Sequence, residues 1–482
     1  MKRILLTTTF LTAFVMGPLP AAADPISLAV AATASAVFSA GGIAAFSFLG
    51  FSGAGAILAS IAVRAALGYA LNALTPKPNN VSRGYAVNAL GPILAHSVIY
   101  GETKVGGAIF YQATSGTGDR YLHRCIAVAG HEIDSYTTIY LNDEAVTLDG
   151  SGNVTAPAQY VGYVRIKQLL GTSTQAADAD LVSDVTEWTT AHQAKGVAYL
   201  YARFDYNATA FPQGVPTVTA IVKGKKVYDS RTATTAWSDN PALCLRDYLT
   251  SDYGLSETSA EINDTFFETA ADICEEDVSG ADRYTLNGAF LLDAAPENIV
   301  LVLLSAMGGM FWYWQGRWAC RAAAYITPTL TFDEDDLRGN LQSSTRHSRR
   351  DNYNIVRGIY RGSATGYQET DYTEVTDAAY VTEDGGVETA TDLPLIFTDT
   401  DVMAQRIATI ALKRNREQLT VTSAFGLRAL DVNVGDTIMM NNTRAGWSSK
   451  VFECVDWRFG LTSEMDLQVN MILRETNSAV FT

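Results

Sequence analysis

Apolar residues in this chain change their period twice, and that switch limits the folds open to it. From about residue 81 to 235 they alternate with polar residues about short turns, as strands with one buried face require. Hairpins are predicted over 139–146 around Asn142-Asp143, over 220–228 around Lys223-Gly224, and over 310–322 around Gln315-Gly316. In the last, Phe311 and Tyr313 fall on one face and Trp312 and Trp314 on the other, and protein is expected to cover both. Between the second and third hairpins the spacing turns helical, and each helix has its own start signal. Asn240 is placed to cap with Pro241 at the first position, Leu245 and Leu249 share a face, and Gly254 lies past the end. Thr258 and Glu261 have capping-box spacing before a stripe of Ile262, Phe266, Ala270 and Ile273. A third helix starts at Pro296 and stops at Gly308-Gly309. Strands return around 353–360, 419–425, 436–440, 451–458 and 465–473, interrupted by one helix. Residues 399–401 supply its cap candidates, and Met403, Ile407 and Ile410 its buried face. This order predicts a mainly β chain with an α+β insertion, its short strands forming antiparallel barrels or sandwiches rather than a parallel sheet.

At 482 residues the chain exceeds one core of ordinary size. Its divisions are a signal-like start (1–24), an apolar Gly/Ala-rich segment with a linker (25–80), a first β region (81–235), the α+β insertion (236–328) and a second β region with one helix (329–482). The formal charge of −16 offers no basic footprint for holding nucleic acid, whereas an acidic wall suits DNA in transit as well as plain solubility. Five scattered cysteines without CxxC spacing signal neither a disulfide framework nor zinc. Buried free thiols are expected, with a Cys244–Cys274 bridge as the alternative.

Two readings stay open at the N-terminus. Lys2 and Arg3, an apolar run and Ala21–Ala23 resemble a secretory signal, yet no charged residue follows from 25 to 63. That stretch is long enough to cross a bilayer, but its glycines favour close packing between helices. Ile43, Phe46, Phe48, Leu58 and Ile61 are the candidate membrane or lumen residues, packed against other copies or another protein. The other reading is a cleaved signal followed by a lipid anchor or buried helices.

No motif carries catalysis. His123 and His131 lie close in sequence, but the stretch HEIDS is not a HExxH helix. The acidic run Asp333, Glu334, Asp335, Asp336 lacks the spacing and glycine of a calcium loop; a solvated turn is expected, a weak cation site being the alternative. Arg346, His347, Arg349 and Arg350 read as a salt-bridged turn or a subunit interface. No catalytic residue, metal or cofactor is expected.

Five passages in order carry a resemblance. They are VIYGETKVGGAIFYQATSG (98–116), with Tyr100, Gly101, Val105, Gly106 and Gly107, and YLHRCIAVAGHEIDSYTTIYLNDEAV (121–146), with Asn142 and Asp143. NPALCLRDYLTSDYGLS (240–256) follows, with Asn240 and Pro241. The fourth spans 287–323, with Gly308, Gly309, Gly316 and Trp318, and the fifth runs from the helix 399–416 through 419–440, with Gly435 and Asp436. Over roughly 95–475 the chain resembles the tail hub proteins of long-tailed phages, the family typified by tip attachment protein J of phage lambda, here without the C-terminal fibre part. The resemblance implies a non-enzymatic virion protein of the tail tip, with two small hub β-barrels per chain forming a homotrimer. Implied partners are the distal tail protein ring, the tape-measure protein, a tail fibre or receptor-binding protein, phage DNA in transit, and a host membrane. Two other readings compete: a secreted or membrane-anchored β-rich bacterial protein, and a tip-borne cell-wall hydrolase.

Overall fold

The computed structural model describes residues 87–90, 94–346, 348, 351–461 and 467–482. The signal-like start and the apolar segment, with Ile43, Phe46, Phe48, Leu58 and Ile61, lie outside the described residues. The first β unit uses β1 (Asn88–Leu90), β2 (Ser97–Tyr100), β3 (Glu102–Val105), β4 (Gly107–Ser115), β5 (Tyr121–Ala129), β6 (Ser135–Leu141), β7 (Glu144–Leu148), β8 (Val154–Ala156), β9 (Val164–Leu169), β10 (Ala198–Asp205) and β11 (Val218–Lys223). All but β2 form two five-stranded sheets, β1-β4-β5-β10-β9 and β3-β11-β6-β7-β8. One core lies between them, with Ile126, Val128, Ile139, Leu141, Ile166, Leu200, Val218 and Ala220 from alternate strand positions. β10 is buried on both faces: Leu200, Ala202 and Phe204 enter this core, while Tyr199 and Tyr201 sit under Leu181, Val185 and Trp188 around helix α1 (Ala179–Asp184). Among the described residues the two sheets do not close into a barrel, since β8 and β9 are joined only by the isolated Asn153–Arg165 bridge.

The hairpin at Asn142-Asp143 forms with the expected register, Ile139 opposite Val146, and both turn residues have positive φ (49° and 65°). The hairpin expected around Lys223-Gly224 does not form. β11 pairs with β3 and β6, whereas β12 (Lys226–Asp229) pairs with β13 (Thr234–Trp237). Gly224 and Lys225 donate their N–H groups to Gly101 and Ile99 instead, so this turn signal marks a crossing out of the first unit.

The central body contains α2 (Pro241–Thr250), α3 (Asp264–Cys274), β14 (Gly288–Leu291), α4 (Pro296–Ser305), and the hairpin β15 (Met310–Trp314) with β16 (Arg317–Arg321). β14 pairs with β2, so the chain's first long segment is woven into this body. Asn240 caps α2 as expected, its Oδ1 accepting from the N–H groups of Ala242 and Leu243. The stripe expected on α3 is borne out in part: Ile262 and Ala270 are buried and Ile273 packs against the core, while Phe266 does not join it. The Thr258–Glu261 capping box closes a separate 3-10 turn, α3 starts afresh at Asp264, and its buried face is Phe267, Ala270, Ala271 and Cys274. After β17 (Leu330–Phe332) and β18 (Gln342–Ser344), which belong to the next unit, the chain returns through β19 (Ile355–Arg357), β20 (Ile359–Arg361), β21 (Glu369–Asp371), β22 (Val375–Thr376), α5 (Ala378–Glu383), β23 (Ala390–Asp392) and α6 (Asp401–Arg416). Val356, Leu395, Phe397, Met403, Ala404 and Ile407 join Tyr100, Leu245, Leu249, Phe267, Phe290 and Leu303 in one core. Thr400, rather than Asp399 or Asp401, caps α6 by accepting from the Met403 N–H. All five cysteines are buried and free, Cys244 and Cys274 included.

The second β unit is a six-stranded sheet, β17-β25-β26-β27-β24-β18, with β24 (Thr420–Phe425), β25 (Thr437–Asn442), β26 (Trp447–Leu461) and β27 (Leu467–Glu475). Phe332, Phe425, Ile438, Phe452, Val469 and Met471 fill its core. Its two edge strands do not pair with each other, so this ladder is also open among the described residues.

Candidate functional site

Three polar joints fasten the two β units to the central body, and several motif residues lie in them. At the first, Tyr100 on β2 donates its hydroxyl proton to Asp247 of α2 (2.6 Å). Lys225, at the crossing, donates to Asp247 (2.8 Å), Tyr253 (2.8 Å) and Ser251 (3.0 Å). Burial alone would lower Lys225, but Asp247 and Tyr253 outweigh it and hold the ammonium above its ordinary range. Burial raises the Tyr100 phenol well above its ordinary range, reinforced by Asp247, so it stays a donor. Gly101 follows at φ +64°, with the Leu286 carbonyl 2.0 Å from where a Cβ would lie. Asn287 seals this approach by accepting from the Glu102 N–H (2.7 Å).

The second joint binds the second β unit to the aromatic hairpin. Arg321 of β16 pairs with Asp436 and donates to the Gly435 carbonyl (3.1 Å). In the third, Glu453 of β26 accepts from Arg474 (2.6 Å) and from Arg414 of α6 (3.4 Å), with the Glu453 side chain only 6% exposed. Burial would raise this carboxyl, but Arg414 and Arg474 together hold it below the usual carboxylate range. Buried pairs contribute little net stability, yet removing one partner leaves a costly bare charge. They therefore act as geometry-fixing fasteners: at the second and third joints they link the body to a β unit whose apolar core is separate from the body's own.

The other motif residues are spread among turns and packing positions. Val105 is buried, Gly106 abuts the Val87 backbone, and Gly107 abuts the Ala127 carbonyl. Asn142 and Asp143 form a hairpin tip, where Asn142 accepts from the Thr217 N–H and Asp143 pairs with Lys104 (2.8 Å). Pro241 is the buried first residue of α2, and Gly308 and Gly309 end the turn after α4. Gly316 lies with Gln315 at the tip of the aromatic hairpin, and Trp318 stacks on Phe311 (4.8 Å). Trp312 and Trp314 meet Phe266 (5.4 Å) and Trp457 (6.1 Å), but Tyr313 on the other face stays 47% exposed, so cover there is incomplete.

Sequence reading passed over Lys225, Asp247, Arg321, Arg414, Glu453 and Arg474. One signal was available: Glu453 interrupts an apolar run between Phe452 and Cys454.

His123 and His131 are engaged in the scaffold. His131 donates from Nδ1 to the Glu132 carbonyl and accepts at Nε2 from the Ile99 N–H (3.0 Å); burial pushes it down to about 4. Buried His123 bridges Ser115 and Tyr201, each at 2.8 Å. In the acidic run, Asp333 caps a 3-10 turn, Glu334 accepts from the Thr443 N–H and Asp336 pairs with Arg428. Among the described residues no cluster of three or more His, Cys, Asp or Glu is placed to hold a metal, and no helix is long and apolar enough to cross a membrane. His347, Arg349 and Arg350 lie outside the described residues.

Fold and joints together define the class: a mainly β scaffold in which two β units are carried on a woven α+β body. Across nearly its whole length this is the fold of a chain in the virion of the native gene transfer agent particle, with TM-score 0.60, 15% identity, and 96% of this chain and 98% of that one covered. The chain is also similar to the tail protein from Neisseria meningitidis MC58 (TM-score 0.33, 11% identity, 83% of this chain and 98% of that one). A third likeness is to the 43 kDa tail protein of prophage MuSo2 from Shewanella oneidensis (TM-score 0.31, 10% identity, 81% and 100%). No family model matches the sequence, and no curated protein matches it.

Proposed function

We propose that this chain is a structural, non-enzymatic virion protein forming the central hub of a long-tailed phage tail tip, where it closes the tail tube and gives DNA passage during ejection. The observation that carries this is the likeness to a virion protein over 96% of the chain, through both β units and the body rather than a single module. The hub-like motifs add support, since several of them lie at the joints that fix the β units. Three copies with two β units each offer six surfaces to a six-fold tail ring. The partners are then the distal tail protein ring, the tape-measure protein, and a tail fibre or receptor-binding protein. Residues 25–63 stay in or near the lumen until released toward the host membrane. The formal −16 per chain suits a lumen that does not trap phosphates. Quantitative mass spectrometry of purified virions tests the reading: three copies per particle and peptides from within 25–63 are expected. Absence from the particle sinks the hub role, and a start beyond residue 63 sinks the lumen segment.

A further inference from the structure

We infer that the excursion between β9 and β10 is a lid over an aromatic cleft that takes a neutral saccharide. The inference is independent of the hub reading, because it concerns the first β unit of a single chain.

Residues 170–197 leave the sheet after Leu169 and rejoin it at Ala198, and the two strands pair right up to the gap, Tyr199 opposite Leu169. One buried side chain ties the neck. Gln175 accepts from the Gly171 N–H (2.7 Å) and donates to the carbonyls of Ala194 (2.8 Å) and Gln193 (3.1 Å). Gly171, Ala194 and Gly196 all have positive φ (82°, 47° and 75°), so sharp bends gather at the neck, as in a compact surface loop whose ends meet. The rest of the excursion packs down through Leu181, Val185 and Trp188 onto Cys125, Tyr199 and Tyr201, a small core apart from the one between the sheets. A unit with its own core can open while the strands beneath it stay folded.

Beneath it lies a box of rings. Measured between ring centroids, Trp188 stands 4.7 Å from Tyr111 and 6.3 Å from Phe110, and Phe110 meets Tyr199 edge to face at 5.5 Å. Phe110 is 42% exposed, and His192, 5.0 Å from Trp188, is exposed as well, so these two mark the mouth. Inside, Tyr199 Oη and Trp188 Nε1 are buried and have no hydrogen-bond partner among the described residues. Buried polar groups left unpaired cost stability that plain apolar rings would not, so the box is suited to something that bonds to them. Flat rings stack on the C–H faces of a sugar, while a phenol and an indole N–H meet its hydroxyls. Burial, then Cys125 and Asp178, push the Tyr199 phenol up, and burial, then Glu187, push up that of Tyr111, so a carboxylate stands near each ring. Arg165, Lys167 and Arg203, further along the same sheet face, are paired with Asp184 and Asp180. Such surroundings disfavour phosphate or sulfate and suit the hydroxyls of an uncharged ligand.

The test uses the full chain in a sugar-free detergent, titrated by calorimetry with maltohexaose, cellohexaose and chitohexaose. At least one should bind. Trp188→Phe keeps a ring and loses the N–H, and Tyr199→Phe loses only the hydroxyl, so each should weaken that binding roughly tenfold, the worth of one good hydrogen bond. Without ligand, Tyr199→Phe should melt no lower than the wild type, because its hydroxyl has no partner to lose. Gln175→Ala should raise the association rate by loosening the neck. Either preference supports the inference, chitohexaose pointing to an N-acetylated wall glycan and the glucose oligomers to a surface glucan. Failure of all three to bind at millimolar concentration overturns it and leaves the two polar groups to internal water. Binding that both Phe variants keep in full overturns it as well, by placing the sugar elsewhere, and an unchanged rate in Gln175→Ala overturns the lid.

Discussion

Single residues decide where this chain can bend and which charges it can bury. Gly101 and Gly316 both have positive φ, but only Gly101 has backbone where a Cβ would go. Gly316→Ala should therefore cost about 1 kcal/mol from the left-handed backbone alone, whereas Gly101→Ala should cost more than twice that. Equal shifts in urea midpoint would contradict the close approach at Leu286. Two buried groups set the response to acid. Glu453 is held below its ordinary range, so its stabilisation is complete above the unfolded value of about 4.3 and is lost as pH falls through the lower folded value. His131 is neutral when folded, so protonation of the unfolded chain erodes stability as pH drops from roughly 6.5 toward about 4. Denaturation at pH 7, 5.5 and 4 should show this decline, flattened above pH 4 in His131→Gln. At pH 7, Glu453→Gln should cost about 3 kcal/mol by stranding two arginines. A neutral substitution would mean that the triad is solvent-screened.

At the scale of elements, the aromatic hairpin separates packing from exposure. Trp312 meets Phe266 edge to face, while Tyr313 across the strand is half in water. Trp312→Ala should cost on the order of 3 kcal/mol, and Tyr313→Ala less than about 1 kcal/mol. Calorimetric melting of both variants checks the contrast; equal losses would mean that the exposed face is covered in solution. The hairpins at Asn142-Asp143 and Gln315-Gly316 were legible because each turn is local and its φ demands are met by its own residues. Lys223-Gly224 carries a similar signal, but its amides bond to Ile99 and Gly101 across the chain, and pairing with a distant strand overrides local alternation. The stripe on α3 was legible only in part, with Ile262 and Ala270 in the core and Phe266 outside it, for a related reason. Its cap closes one turn and the helix restarts, so the expected phase slips by a residue.

For the molecule as a whole, β2 pairing with β14 and the Tyr100–Lys225–Asp247 joint tie the first β unit to the central body. The two should therefore unfold in one calorimetric transition, and Asp247→Ala should split or broaden it by leaving Lys225 without its counter-charge. A wild type that already melts in two separate steps over these regions would show that the joint does not couple them.

The sequence by itself determined the mainly β class, the cap at Asn240, the start of α4 at Pro296, the buried face of α6, the hairpins at Asn142-Asp143 and Gln315-Gly316 and the long strands of the second β unit. These follow from periodicity and local turn chemistry, which need no knowledge of distant partners. Tertiary structure alone decided that residues 351–416 complete the body's core and that single charged residues at 225, 247, 321, 414, 453 and 474 become joints. The physical reason is common to both: a shared core or a buried charge is defined by what arrives from elsewhere in the chain, and no local pattern records that arrival.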